Sequence, residues 1–162
     1  MNPVYDLEFA FAIENDNFDR VLKIIQVVFD KMKRSRKYPL NIAMEMRFMK
    51  YSTSYLCPAK IGDPSIGGTG QVFYIEILSA VNTVGWGQFS VDVATEWFQL
   101  GGIPHLAKEW PVTANNYSYV RKALKKPIED FIKMLDKSKA DPKRIFFNAH
   151  LYELLYDYEI EH

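Results

Sequence analysis

Hydrophobic residues alternate with polar or small ones in the first segment of the chain, Tyr5 to Ile13. Its apolar positions are Tyr5, Leu7, Phe9, Phe11 and Ile13. Because side chains of a strand point alternately to its two faces, this period of two predicts a strand with one buried face. From Phe18 to Met32 apolar residues recur at helical spacing, after the N-cap candidates Asn15, Asp16 and Asn17. We therefore expect a strand followed by an amphipathic helix.

Two more segments have the periodicity of strands. In Asn41 to Met49, the apolar residues of one face are Ile42, Met44, Met46 and Phe48. Glu45 and Arg47 lie on the other face, so one face is expected to be core and the other to carry a charge pair. Gln71 to Ala80 is apolar on both faces, which is typical of a central strand. Glycines and prolines between Gly62 and Gly70 mark the connection between these strands.

Helical spacing returns in the second half of the chain. Phe89 to Leu100 is predicted to be an amphipathic helix that ends at Gly101-Gly102. A further helical region runs from Ser118 to Leu135 and is expected to break at Pro127. The order of elements predicts an α+β fold in which an antiparallel sheet has helices packed on one face, as in ferredoxin-like domains. Residues 1–162 are interpreted as one domain.

Composition narrows the class of protein. A chain of 162 residues with 48% apolar content can bury a substantial core. Twenty basic side chains balance twenty acidic ones, so no net field attracts nucleic acid. Cys57 is the only cysteine, which excludes an intramolecular disulfide. No apolar run approaches the roughly 20 residues of a membrane span, and the N-terminus lacks the features of a signal peptide. A cytoplasmic protein without a transmembrane segment is expected.

Five titratable residues are the first candidates for chemistry. Glu45 and Arg47 project from one strand face roughly 7 Å apart, so together they could grip a polar ligand. The alternative is an exposed ion pair at a sheet edge. Glu76 lies in an apolar strand, where an unpaired carboxylate is costly. It therefore needs a partner or a position on a solvent-facing row of the sheet. His105 and Lys108 follow two glycines and a proline in one rigid loop, which could bring both to a site. The alternative is that both are ordinary surface residues.

Metal and nucleotide signals are absent from the sequence. The three histidines, His105, His150 and His162, do not have the spacing of metal ligands. The glycine run from Gly62 to Gly70 lacks the Lys-Ser/Thr ending of a phosphate-binding loop and precedes a strand. The sequence therefore predicts no metal site and no nucleotide-binding loop.

The order of four motifs resembles the C-terminal domain of the sugar-lactone oxidases. The motifs are Glu-x-Arg-Phe at 45–48, the aromatic-rich strand after it, Gly-Gly-x-Pro-His-x-x-Lys at 101–108, and Asp-Pro-x-x-x-Phe-x-Asn-x-x-Leu at 141–151. This family contains the gulono-, galactono- and arabinono-lactone oxidases and the alditol oxidases, within the vanillyl-alcohol-oxidase flavoprotein superfamily. The resemblance extends from Tyr5 to Tyr156.

The resemblance implies a substrate-binding cap domain that works with a separate FAD-binding domain. The substrate would be a sugar lactone or polyol, and FAD would be bound mainly by a domain outside this chain. Catalytic roles would fall to Glu45, Arg47 and Lys108, with Glu45 orienting the reacting hydroxyl and either cation stabilising the alkoxide. Which residue acts as the base stays open. His105 and Asn148 would face the substrate or flavin, with His105 fixing its loop.

The apolar tail, residues 141–162, is expected to pack against an FAD-binding domain or a partner. A second hypothesis is a non-catalytic binding or assembly module derived from the cap domain, which forms a homo-oligomer through this tail. A third, a ferredoxin-like RNA binder, has aromatic strands in its favour but lacks the matching aromatic and glycine signature and a basic sheet face.

Overall fold

The computed structural model describes residues 4–14 and 17–156, which contain five α-helices and a four-stranded antiparallel sheet. The strands are β1 (Val4–Ile13), β2 (Ala43–Lys50), β3 (Gln71–Ala80) and β4 (Ile103–Pro104). The helices are α1 (Phe18–Ser35), α2 (Trp86–Gln99), α3 (Ala114–Ala123), α4 (Lys125–Ser138) and α5 (Ala149–Leu155). Two short 3₁₀ turns, Pro58–Gly62 and Pro64–Ile66, lie between β2 and β3.

The sheet has the strand order β2-β3-β1-β4, and all neighbours are antiparallel. Helix α1 connects β1 to β2, and α2 connects β3 to β4, which makes the βαββαβ arrangement of ferredoxin-like domains. The predicted α+β class is therefore confirmed. The central position predicted for Gln71–Ala80 is also confirmed, because β3 lies between β1 and β2.

The described residues fall into two compact units. One contains the sheet, α1 and α2, and comprises the chain up to Thr53 together with Cys57–Pro111. The other contains Ser54–Leu56 and the chain from Val112 onward, with α3, α4 and α5. The interpretation of residues 1–162 as one cap domain stays a prediction.

Trp97 of α2 is the centre of the core in the first unit. Its ring is fully buried and lies 5.3 Å from the ring of Phe9 and 6.1 Å from that of Phe11, both on β1. Its indole N–H donates to the carbonyl of Ile24 on α1 at 3.1 Å. One side chain therefore joins both helices to the same face of the sheet, and the polar donor that it buries is satisfied.

Two helix boundaries differ from the predictions. Helix α2 begins at Trp86, earlier than predicted, because Gly85 adopts a left-handed conformation (φ 89°) and caps the helix there. The helical region from Ser118 to Leu135 breaks at Leu124 and not at Pro127. Pro127 lies in the first turn of α4, where the missing N–H removes no intrahelical hydrogen bond.

The prediction that Ile42, Met44, Met46 and Phe48 form a core face is wrong, since Ile42 is 52% exposed and Met44 is only partly buried. Met46 is 47% exposed and Phe48 is 56% exposed. The buried residues on this side of the sheet belong mainly to β1 and β3, namely Leu7, Phe9, Phe11, Phe73, Ile75 and Ile77. Helices α1 and α2 therefore cover the centre of the sheet and leave the side chains at its β2 edge exposed.

The second unit contains the C-terminal segment. Leu154 and Leu155 of α5 are buried, and the Tyr117 hydroxyl lies 2.6 Å from His150 Nδ1. By contrast, Ile145 and Phe146 are about three-quarters exposed, at 73% and 75%. Residues 157–162 of the predicted tail lie outside the described residues. A docking role for the tail stays a prediction.

Candidate functional site

Three carboxylates form one row across the sheet, on the face opposite α1 and α2. Glu8 of β1 is paired with Glu76 of β3, and Glu76 is paired with Glu45 of β2. Adjacent strands lie only about 4.8 Å apart, and like charges directly opposite each other destabilise a sheet. Glu8 and Glu76 are also buried, at 2% and 8% exposure. This row therefore requires cations close to it.

Arg47 is the first of these cations. It lies one row away from Glu45 on β2, and its guanidinium forms an ion pair with Glu8 across β3. The guanidinium carbon of Arg47 lies over the ring of Tyr74, 4.7 Å from the ring centroid. One of the two alternatives from the sequence was an exposed ion pair between Glu45 and Arg47. In the structure Arg47 pairs with the buried Glu8 instead.

Lys108 is the second cation and comes from the loop after β4. Its ammonium forms an ion pair with Glu76, and it also lies 3.4 Å from Glu8 and 3.5 Å from Asp6. The prediction that Glu76 needs a partner is confirmed. Burial alone would lower the pKa of Lys108, but the hydrogen bond to Glu76 and the charges of Glu76, Glu8 and Asp6 raise it above its ordinary value. Lys108 therefore stays charged at neutral pH.

The backbone holds the Lys108 loop against the sheet. The N–H of His105 donates to the carbonyl of Glu8 at 2.8 Å, and the N–H of Lys108 donates to the carbonyl of His105 at 2.9 Å. Before β4, helix α2 ends as predicted at the two glycines, with Gly101 in a left-handed conformation (φ 82°) and the Gly102 N–H bonded to the Trp97 carbonyl at 2.9 Å. These backbone hydrogen bonds hold the loop that carries Lys108 next to Glu8.

The charged face contains a small cavity of about 120 Å³. The residues that line it are Glu8, Glu45, Met46, Arg47, Tyr74 and Glu76. Glu45 is exposed at this site, whereas Tyr74 is 3% exposed. Burial, together with Cys57 nearby, raises the pKa of Tyr74 above its ordinary value, so its phenol stays neutral. Carboxylates that accept and cations that donate hydrogen bonds meet here, which suits a molecule with several hydroxyl groups.

The structure brings together most of the residues proposed from the sequence. Glu45, Arg47, Lys108 and the backbone of His105 lie in the first unit around the carboxylate row. Asn148 lies in the other unit, where it caps α5 by accepting a hydrogen bond from the Leu151 N–H at 2.9 Å. A role for Asn148 toward substrate or flavin stays a prediction.

Sequence reasoning missed three residues of this site, Asp6, Glu8 and Tyr74. A signal was present for the first two, because Asp6 and Glu8 occupy the positions of β1 that alternate with its apolar face. What the pattern did not contain was the register that places Glu8 opposite Glu76. Tyr74 gave no signal that distinguishes it from a core residue.

Neither the charged face nor the glycine-rich connection fits the pyrophosphate of FAD. Four carboxylates, Asp6, Glu8, Glu45 and Glu76, face two cations, so the charged face has a formal charge of −2 and repels a phosphate dianion. The glycine-rich connection packs on itself, since a Cβ on Gly68 would lie 2.2 Å from the carbonyl carbon of Gly62. It then enters β3 and not a helix.

Two further kinds of site are not found in the part of the chain that the structure describes. Between residues 4 and 14 and between 17 and 156, no three His, Cys, Asp or Glu side chains are arranged to hold a metal ion. Over the same ranges, none of the helices combines the length and apolar character needed to cross a membrane.

Comparison with known proteins gives one family. Residues 3–154 match the family model described as D-arabinono-1,4-lactone oxidase. Among curated protein sequences, none matches the chain.

Proposed function

Since the chain belongs to the D-arabinono-1,4-lactone oxidase family, we propose that its charged sheet face binds the sugar lactone or alditol that an FAD-dependent oxidoreductase oxidises at a CH–OH group. The observation that carries this proposal is the strand register, which aligns Glu8, Glu76 and Glu45 beside Arg47 and Lys108. Because neither the charged face nor the glycine-rich connection fits the FAD pyrophosphate, an FAD-binding domain outside the described residues would hold the cofactor. The chain would then be the substrate half of the enzyme.

The proposed roles follow from the oxidation of an alcohol. When a carbinol carbon loses hydride and becomes a carbonyl, its hydroxyl must also lose a proton, and if the proton leaves first, the resulting alkoxide needs stabilisation until the hydride leaves. Lys108 and Arg47 are fixed cations whose N–H groups can donate to that oxygen, and Glu45 is an exposed acceptor that can orient the hydroxyl. Glu8 and Glu76 act through the cations, because their buried charges hold Arg47 and Lys108 in place.

The charge of the site also selects among sugars. With a formal charge of −2, the face favours neutral lactones and polyols over their acid forms. A lactone and the aldonate formed by its hydrolysis differ by one negative charge and offer similar hydroxyl groups. We therefore expect the lactone to bind and the corresponding aldonate to compete weakly, at least tenfold less well, which is about 1.4 kcal/mol.

The proposal is tested by combining the chain with an FAD-binding domain of the same family and following flavin reduction after a lactone or alditol is added. Arg47→Ala is expected to lower kcat/KM at least tenfold, or about 1.4 kcal/mol, because it removes a donor from the cavity. Arg34→Ala is the matched control, since Arg34 lies in the last turn of α1, outside the cavity residues. Flavin reduction that is unchanged in both Arg47→Ala and Lys108→Ala would disprove the site.

The folding of each variant must be checked, because Arg47→Ala leaves the buried Glu8 without this ion pair. Arg47→Lys keeps a positive charge near Glu8 but loses the planar guanidinium, so it separates the role in binding from the role in folding. The alternative function, a non-catalytic binding or assembly module, predicts that no lactone or alditol reduces the flavin although the chain is folded.

A further inference from the structure

Within the part of the chain that the structure describes, β2 is an edge strand, and no other strand pairs with its outer edge. The Tyr51 N–H donates to the Gly70 carbonyl, one residue pair beyond Lys50 and Gln71. Since hydrogen-bonded pairs alternate along antiparallel strands, the odd-numbered residues of β2 bond to β3. The N–H and C=O groups of Met44, Met46 and Phe48 therefore point to the open edge. A strand of eight residues without proline is a template for pairing with another strand.

The same edge exposes an apolar surface on the helix side of the sheet. Phe18 and Leu22 of α1 are each 61% exposed, and Met46 and Phe48 of β2 are 47% and 56% exposed. The rings of Phe18 and Phe48 are 6.4 Å apart, and a groove of about 400 Å³ lies beside them. An apolar surface continuous from a helix to an unpaired strand edge is typical of an interface between proteins.

We propose that two copies of this chain pair through their β2 strands, antiparallel and related by a two-fold axis at Met46. The two four-stranded sheets then become one continuous sheet of eight strands. On the polar face, Glu45 of each copy lies opposite Arg47 of the other copy. On the apolar face, Met46 meets its own counterpart and Met44 meets Phe48.

The charges on β2 favour this pairing register over the two registers shifted by one residue. An axis at Glu45 would place two glutamates opposite each other, and an axis at Arg47 would place two arginines opposite each other. Only the axis at Met46 places each Glu45 opposite an Arg47, whose side chain is 52% exposed although its guanidinium also pairs with Glu8. This self-complementarity identifies a second copy of the same chain as the occupant, since an unrelated strand would need no such pattern.

The hydrogen bonds agree with the same axis. An axis at Met46 makes Met46 with Met46 and Met44 with Phe48 the hydrogen-bonded pairs, and these are the residues whose backbone groups point outward. Glu45 and Arg47 then form non-hydrogen-bonded pairs, in which Cα atoms approach to about 4.5 Å and side chains are closest. The pairing uses three residues of the proposed substrate cavity, Glu45, Met46 and Arg47, but does not depend on any catalytic activity.

The test uses opposite charges at the axis. Sedimentation of the purified chain at micromolar concentrations should show a dimer. Met46→Glu and Met46→Lys should each raise the dimer dissociation constant at least tenfold, because like charges meet at the axis. A mixture of the two variants should restore the dimer. Val91→Lys is the matched control, since Val91 is an exposed residue of α2 at 42% exposure and should leave the dimer unchanged.

Met46→Pro is a further variant that keeps the fold. The N–H of Met46 points to the open edge, so a proline there removes no bond to β3, and circular dichroism should be unchanged while the dimer is lost. The proposal is overturned if the wild-type chain is a monomer throughout the concentration range, or if it associates only with a different protein. It is equally overturned if both charge variants remain dimeric, or if their mixture stays monomeric.

Discussion

Lys108→Met is expected to lower the free energy of unfolding by about 3 kcal/mol at neutral pH. Removing one partner of a buried ion pair typically costs 3–5 kcal/mol, because the remaining charge is left without compensation. Lys108 is close to three carboxylates, of which Glu8 and Glu76 are buried. The lower end of the range applies since the Lys108 side chain keeps 25% of its exposure. Equilibrium unfolding in urea measures this difference.

Lys126→Met is the matched control for this prediction. Lys126 also forms an ion pair with a carboxylate, Asp130, but on the surface of α4, where such pairs contribute about 0.5 kcal/mol or less. Lys108→Met combined with Glu76→Gln should recover part of the lost stability, because one of the carboxylates is then neutral. Equal effects of Lys108→Met and Lys126→Met would show that Lys108 does not hold the carboxylate row together.

The dependence on pH gives a separate check. The pKa of Lys108 is raised in the folded chain, so its stabilising contribution is fully present below the unfolded value of about 10.4. The contribution is lost as the pH rises from that value through the pKa of the folded chain. The difference in stability between wild type and Lys108→Met should therefore be constant from neutral pH to about pH 10 and become smaller above it.

The sequence predicted which residues share a face, and this part of the site was reliable. Alternation along one strand placed Glu45 beside Arg47, and an apolar strand with one carboxylate required a partner for Glu76. Alternation does not specify which residue of a neighbouring strand lies opposite. Glu8 was missed for this reason, because its position next to Glu76 depends on the register of β1 and β3.

The sequence also did not indicate whether other elements cover the apolar face of a strand. Met46 and Phe48 have the same spacing as the buried residues of β1, yet they are exposed. The difference comes from the position of β2 at the edge of the sheet, which is set by strand order and helix packing. The wrong prediction of a core face and the open edge that two copies are proposed to share thus have one physical cause.

Gly102→Ala is expected to lower the free energy of unfolding by about 2–3 kcal/mol, by overpacking the core. A Cβ at this position would lie 2.6 Å from Phe11 Cε1 and 2.9 Å from Phe9 Cδ1. Both rings are fully buried against Trp97, so they have no free space into which to move. Gly87→Ala is the matched control: its Cβ meets nothing within 4 Å, and an alanine inside α2 should stabilise by about 0.5–1 kcal/mol.

Gly102→Ala also tests whether the end of α2 determines the position of Lys108 in the site. Gly102 directly precedes β4, and the loop after β4 carries Lys108 to Glu76. If the two residues act through this one connection, the double variant Gly102→Ala with Lys108→Met should be less destabilised than the sum of the single variants. Additive effects would instead mean that the core around Trp97 and the charged face are independent. In that case the position of Lys108 would be set by its bonds to the carboxylates and not by the end of α2.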